Sequence, residues 1–241
     1  MSPTGAAATS APPGRISPQA AVAWLIAVSG LLRLVVAWGN GLCLGESYYF
    51  SCARHPSLSY FDHPPLSMLL GTLSLQLSGE VGRLALRWPF IVLFAGTTWL
   101  MFLLGRRLFG PWSGFHAALL LNLAPIFSLT VGVFFQPDGP LMFFSLACVW
   151  CLAHLLVGPP SRQPFAWWAA AGAMLGLAML SKYAAVLLVV GAGLHVLTCR
   201  DQRRWLAHPG PYLALAIAVL FFSPVLVWNA QHQWASFIFQ S

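Results

Sequence analysis

The chain of 241 residues carries five carboxylate side chains, Glu46, Asp62, Glu80, Asp138 and Asp201, and a single lysine, Lys182. Carboxylates can take the proton of a hydroxyl nucleophile. Together with histidine they can also hold a divalent metal. Three of the acids stand beside other reactive groups. The segment GESYYFSCARHPSLSYFDHPPL, residues 45–66, sets Glu46 and Asp62 among Arg54, His55, His63 and the tyrosines Tyr48, Tyr49 and Tyr60. The segment FFQPDGPLMFF, 134–144, places Asp138 between Pro137 and Pro140, which fix the backbone, with Gly139 allowing a tight turn. The segment LSKYAAV, 180–186, puts Lys182 at the junction of two apolar runs, where its ammonium could hold a phosphate oxygen as a compact point charge.

Each feature has a plainer explanation. Aromatic residues favour the headgroup level of a membrane, which accounts for Tyr48, Tyr49, Phe50, Tyr60 and Phe61 but not for the acids and imidazoles among them. Asp138 could cap the helix that follows it, and Lys182 could snorkel to an interface. Glu80 near Arg83, and Asp201 near Arg203 and Arg204, read as surface partners of those arginines.

The elements that position these groups must lie in lipid. Hydrophobic residues make up 59% of the chain and charged residues 7%, against about 25% charged in a soluble domain. The expected fold is all-α, a polytopic transmembrane helix bundle with an outward loop carrying short interfacial helices. The net charge of +7 reads as orientation of loops rather than nucleic-acid binding. Cys148 and Cys151 read as core thiols inside an apolar run. Cys43 and Cys52 share the outer loop and could pair only in an oxidising compartment.

Residues 1–17, rich in Pro, Ala and Ser, read as a disordered tail, and 18–241 as one membrane domain. Apolar runs follow at about 19–38, 64–78, 88–105, 112–135, 141–157, 165–180, 183–198 and 212–228. Placing Arg15, Arg106, Arg107 and Arg200 to Arg204 inside satisfies the positive-inside rule and turns loop 39–63 outward. Three runs then separate that loop from Asp138, so one of them must fail to cross. The weakest is 64–78, which is short and begins Pro-Pro. If it stays on one side, residues 39–63, 136–140 and 181–183 share a face. The alternative breaks 112–135 at Pro125.

The motifs ESYYF, SYFDHPPL, RRLFG, QPDGPLMFF, LSKYAAV and SPVLVWNAQHQWASFIFQ occur in the order found in membrane glycosyltransferases that use polyprenyl-phosphate sugars. The chain resembles the bacterial relatives of protein O-mannosyltransferase and of the aminoarabinose lipid A transferase over residues 31–240. The resemblance implies an inverting glycosyltransferase. Its donor would be a polyprenyl-phosphate-linked sugar and its acceptor a hydroxyl of a protein, lipid or glycan. It implies a multi-pass place in a bacterial inner membrane with the reaction at the outer face. Position by position it gives Glu46, Asp62 and Asp138 as catalytic candidates and His63 and Lys182 as substrate-binding ones, to which Arg54 and Tyr48 of the same outer loop are added as substrate-binding candidates. A divalent metal held by Glu46 and Asp138 stays open, since no spacing demands it. The chain departs from the family pattern at Gly45, where many members carry an aspartate before the glutamate. Relatives look about twice as long, so the chain is expected to be an N-terminal part or a truncated product. A non-catalytic remnant and a transporter are the rival readings. A transporter should bury its charges in helix middles, whereas most acids here fall at helix ends.

Overall fold

The computed structural model describes residues 16–158 and 162–240, so Arg15 and nearly all of the expected tail lie outside the described residues. Ser17 is described, and its hydroxyl accepts the Ala20 N–H at 3.2 Å, capping the first helix. The described chain is helical throughout. The helices are α1 (Pro18–Gly39), α2 (Leu44–Ala53), α3 (Leu66–Ser78), α4 (Arg83–Phe109), α5 (Pro111–Leu123), α6 (Asp138–Leu156), α7 (Pro164–Ser181), α8 (Val186–Thr198), α9 (Pro209–Gln231) and α10 (Ala235–Gln240). A π-helical turn, Ile126–Val131, follows α5, and a 3₁₀ helix, Arg200–Ala207, follows α8 at a 113° bend. Among the described residues five helices, α1, α4, α6, α7 and α9, are long and apolar enough to cross a membrane, or six if the bent pair of Tyr183–Thr198 and Arg200–Ala207 is one span. The protein is a multi-pass membrane protein.

Polar contacts sort the helix ends. At one end, Arg87 in the first turns of α4 donates to the carbonyls of Ala37, Asn40 and Gly41, which close α1. Phe135, just before α6, and Glu46 of α2 join the same knot. Lys182, closing α7, meets Asp138, opening α6. At the other end, Arg107 of α4 donates to the carbonyls of Ala153 and Val157 at the close of α6. Gln202 donates to Leu156 O there. Residues 39–63, 136–140 and 181–183 therefore share one end, and Arg106, Arg107 and Arg200 to Arg204 mark the other.

Both expected irregularities occur, with different consequences. Thirteen residues of α3 reach about 20 Å at 1.5 Å per residue, short of a ~30 Å hydrocarbon core. Helix α3 stays at its starting end: Thr72 donates to Ala53 O, and Ser74 to Ala85 O beside the start of α4. Pro125 does end α5, but the π turn carries the chain onward without reversal, because Phe135 reaches the opposite end from Gly110. Pro125 interrupts a crossing; it does not cancel one.

Close packing uses small residues, as expected where lipid supplies no hydrophobic drive between helices. A Cβ on Gly105 of α4 would lie 2.8 Å from Gly114 Cα of α5, and one on Gly176 of α7 would lie 3.0 Å from Ala218 O of α9. Arg33 of α1 is buried and donates to Asn122 Oδ1 at 2.9 Å and to Ser128 O at 3.2 Å. Its guanidinium lies 4.3 Å from the Phe94 ring centroid. Asn122 in turn donates to Thr98 of α4 at 3.0 Å. A buried arginine whose donors are taken up by oxygens and whose face covers a ring is a satisfied tie between α1, α4 and α5.

Candidate active site

Helix α2 opens with Glu46 in its first turn, and the Cys43 N–H donates to Glu46 Oε2 at 3.0 Å. This is the backbone half of a capping box. Three further bonds saturate the carboxylate. Arg87 donates from Nε to Oε1 at 2.7 Å and from Nη2 to Oε2 at 2.6 Å, and the Phe135 N–H donates to Oε1 at 3.0 Å. Both side chains are fully buried. Burial by itself would push the Glu46 carboxyl up, but the Arg87 bonds and the two backbone donors outweigh it and hold the group below the usual carboxylate range.

That saturation is at odds with the expected role of Glu46 as base or metal ligand. Its oxygens accept four hydrogen bonds, which fill a carboxylate's lone pairs. The expected sharing of one hydroxyl or one metal between Glu46 and Asp138 finds no free position on Glu46. Arg87 is the residue that reading from sequence missed. The available signal was an arginine at the edge of an apolar run in a chain with few acids, since such a charge needs a partner.

The other candidates form a more open group. Tyr48 donates to Asp62 Oδ1 at 2.7 Å, and His63 Nδ1 lies 3.0 Å from Asp62 Oδ2. Burial and the Asp62 carboxylate push the Tyr48 phenol up, so Tyr48 stays a proton donor. Lys182 Nζ lies 2.8 Å from Asp138 Oδ1, and both side chains are 38% exposed. Asp138 opens α6, where the helix N-terminus favours a negative charge. Tyr49 joins the two pairs. Its ring stands 5.4 Å from the His63 ring and 6.0 Å from Phe135. Burial pushes its phenol up, and the fields of both Asp62 and Asp138 add to that rise. Arg54 is exposed at the end of α2, and its side chain makes no bond among the described residues.

The loop carrying Asp62 is held from the far end of the chain. Ser236 of α10 donates to Tyr60 O at 2.8 Å, and Gln240 donates to Asp62 O at 2.9 Å. Asn229 accepts the Ser236 N–H at 3.1 Å. The intervening Gln233 and Trp234 take left-handed conformations, φ 55° and 60°, uncommon outside glycine. The chain turns sharply there so that α10 can lie back on the loop.

Among the described residues no three His, Cys, Asp or Glu side chains converge as a metal site requires. Cys43 and Cys52 are free thiols. Neither Glu80 nor Asp201 forms its expected ion pair among the described residues.

The described residues thus form a polytopic membrane bundle with acids, a lysine and aromatic residues gathered at one end. Residues 62–228 match the family described as dolichyl-phosphate-mannose-protein mannosyltransferase, and the chain belongs to that family. It is 27% identical over 191 residues to the lipid A galacturonosyltransferase RgtD of Rhizobium johnstonii, a match covering 78% of this chain and 38% of the relative. The fold is similar to the S. cerevisiae protein O-mannosyltransferase Pmt1–Pmt2 complex bound to the sugar donor. There the TM-score is 0.72 at 20% identity, over 92% of this chain and 34% of that one. It is equally similar to ArnT from Cupriavidus metallidurans in the apo state, with a TM-score of 0.71 at 23% identity, over 91% of this chain and 44% of that one. The chain thus spans well under half the length of each of these proteins.

Proposed function

We propose that the protein, in the bacterial inner membrane, transfers a sugar from a polyprenyl-phosphate donor to a hydroxyl acceptor at the outer face. The observation that carries this reading is the placing of Asp62–His63 and Asp138–Lys182 at one end of the bundle, with the Tyr49 ring 5.4 Å from that of His63. Family membership supports it, as does the relatives' description as sugar transferases.

The geometry suggests a division of labour. The donor's isoprenoid tail stays in lipid and its phosphate reaches Lys182. At rest Asp138 neutralises that ammonium. An arriving phosphate competes for Lys182 and frees Asp138 as a proton acceptor. The acceptor oxygen then attacks the anomeric carbon, the carbon–oxygen bond to phosphate breaks, and its electron pair leaves with the phosphate. The hydroxyl proton passes to Asp138, while Lys182 stabilises the charge that builds on the phosphate. Attack opposite the leaving group inverts the anomeric centre. Asp62 orients His63 and Tyr48 toward the same space. Glu46 acts at one remove: with Arg87 it fixes the end of α1, the start of α2 and the approach to α6. Residues 18–241 form the membrane domain in this reading.

Gly45 supports the alternative of a non-catalytic remnant, since the usual acid is missing there and Glu46 is engaged elsewhere. Turnover of a polyprenyl-phosphate-linked hexose separates the two. The assay compares this chain with the same chain extended by the sequence downstream of Ser241. Sugar transfer by either form, lost in Asp138→Asn, is the expected result. No transfer by either form supports the remnant.

A further inference from the structure

Two cavities, of about 250 and 360 Å³, lie on either side of α8, away from the acids. Both touch Leu152 of α6 and Leu188 and Ala192 of α8. The first is closed by α7, α9 and the 3₁₀ helix Arg200–Ala207; the second by the last turns of α4. Their walls are almost wholly apolar, as would suit hydrocarbon chains rather than a sugar.

Three observations indicate what fills them. The 3₁₀ helix leaves α8 at a 113° bend and carries Arg200, Arg203 and Arg204, all exposed. Asp201 pairs with none of them among the described residues. This places an unneutralised basic strip at the mouth of the first cavity, whose wall includes Trp205 and Leu206 of the same element. Secondly, Trp168, 5% exposed, lines that cavity with its ring, while its N–H edge packs over Gly210, where a Cβ would lie 2.5 Å from Nε1. Trp168 packs 5.3 Å from the Trp205 ring, at the level of the basic strip. Thirdly, Gly193 of α8 faces the first cavity, and a Cβ there meets nothing within 4 Å. A helix-interior glycine with open space beside it costs about 1 kcal/mol relative to alanine and leaves the cavity clear.

We infer that this end of the bundle binds an anionic glycerophospholipid. Its acyl chains occupy the two cavities astride α8, and its phosphate lies against Arg203 and Arg204. Acids and lysine at one end would then serve catalysis, while the opposite leaflet supplies a bound lipid that fills the gap between α6 and α9. Charge complementarity selects the occupant. Arg203 donates to Leu197 O at 3.0 Å and Arg204 lies 5.5 Å from the Trp205 ring centroid. None of the three arginines meets a carboxylate among the described residues, so an anionic headgroup answers their charge and a lipid brings hydrocarbon to the apolar space.

The test is photocrosslinking of the whole chain in bilayers with phosphatidylglycerol or phosphatidylcholine carrying a diazirine on one acyl chain, with crosslinks mapped by peptide mass spectrometry. Phosphatidylglycerol should label residues 148–152 and 188–193 preferentially. Arg203→Gln with Arg204→Gln should lower that labelling about fivefold per arginine, the weight of a ~1 kcal/mol interaction per basic residue at an anionic surface. Gly193→Trp should abolish labelling of the first cavity. Both arginines are exposed and Gly193 faces open space, so these variants keep the fold, which a thermal melt checks. Equal labelling by the two lipids, labelling unaffected by the arginine changes, or crosslinks to a second copy of the chain in place of lipid would each overturn the proposal.

Discussion

Two carboxylate–cation pairs stand at the same end of this bundle and are built for opposite purposes. Glu46 and Arg87 are fully buried, share two short bonds, and have every other polar atom of the knot engaged by backbone. Asp138 and Lys182 share one bond and are 38% exposed. A buried pair with all partners supplied is costly to form and costlier to break, since removing one member strands a charge. An exposed pair contributes little to stability and can be opened by a competing anion. The same pairing of a carboxylate with a cation thus gives a fastener in one place and, in the proposed reaction, a pair that opens in the other. Exposure makes the difference.

The sharpest way to break this comparison is to remove one member of each pair. Arg87→Met should destabilise by about 3–5 kcal/mol, the scale for an uncompensated buried charge, read as a large fall in the detergent melting temperature. If Arg87→Met melts like the parent, the fastener reading fails. Asp138→Asn should leave the melt nearly unchanged and cut sugar transfer by about 10²-fold or more, the scale of a lost general base. Lys182→Ala should follow with weaker donor binding at an unchanged melt. If either change at the open pair lowers stability as far as Arg87→Met does, the two pairs are not distinct in kind.

A pH series sharpens the contrast further. The folded Glu46 carboxyl is held below its usual value of about 4.3. Its contribution to stability is therefore complete above that pH and is lost as pH falls through the lowered folded value. Melting temperature against pH should bend downward in that acid window, and Glu46→Gln should remove the bend while lowering the plateau. The smallest expected effect is at Gly45. A Cβ there meets only Tyr49 Cε2, at 3.8 Å, an ordinary contact. Gly45→Asp adds a carboxylate to the first turn of α2, where the helix N-terminus favours it by about 0.3–1 kcal/mol. The variant should fold as well as the parent or slightly better and retain transfer. Loss of folding would show that the α2 opening is tighter than the contact distance implies.

Much of this arrangement was written locally. Hydropathy placed the spans, because lipid demands an apolar surface over each ~20-residue stretch whatever its neighbours. The arginine clusters sorted the ends, and the Pro-Pro start of 64–78 marked the helix that stays on one side. Scarcity of acids drew attention to Glu46, Asp62 and Asp138, and residue type at the helix junction singled out Lys182. What the three acids do was not local. Glu46 meets Arg87 across 41 positions, and Asp62 is held by Gln240 across 178. Those meetings depend on how α1, α4 and α10 approach one another, and no periodicity within a segment carries that information. Nor could residue type tell a saturated carboxylate from an available one: that follows from burial and from the count of donors within reach, and only the tertiary structure supplies both.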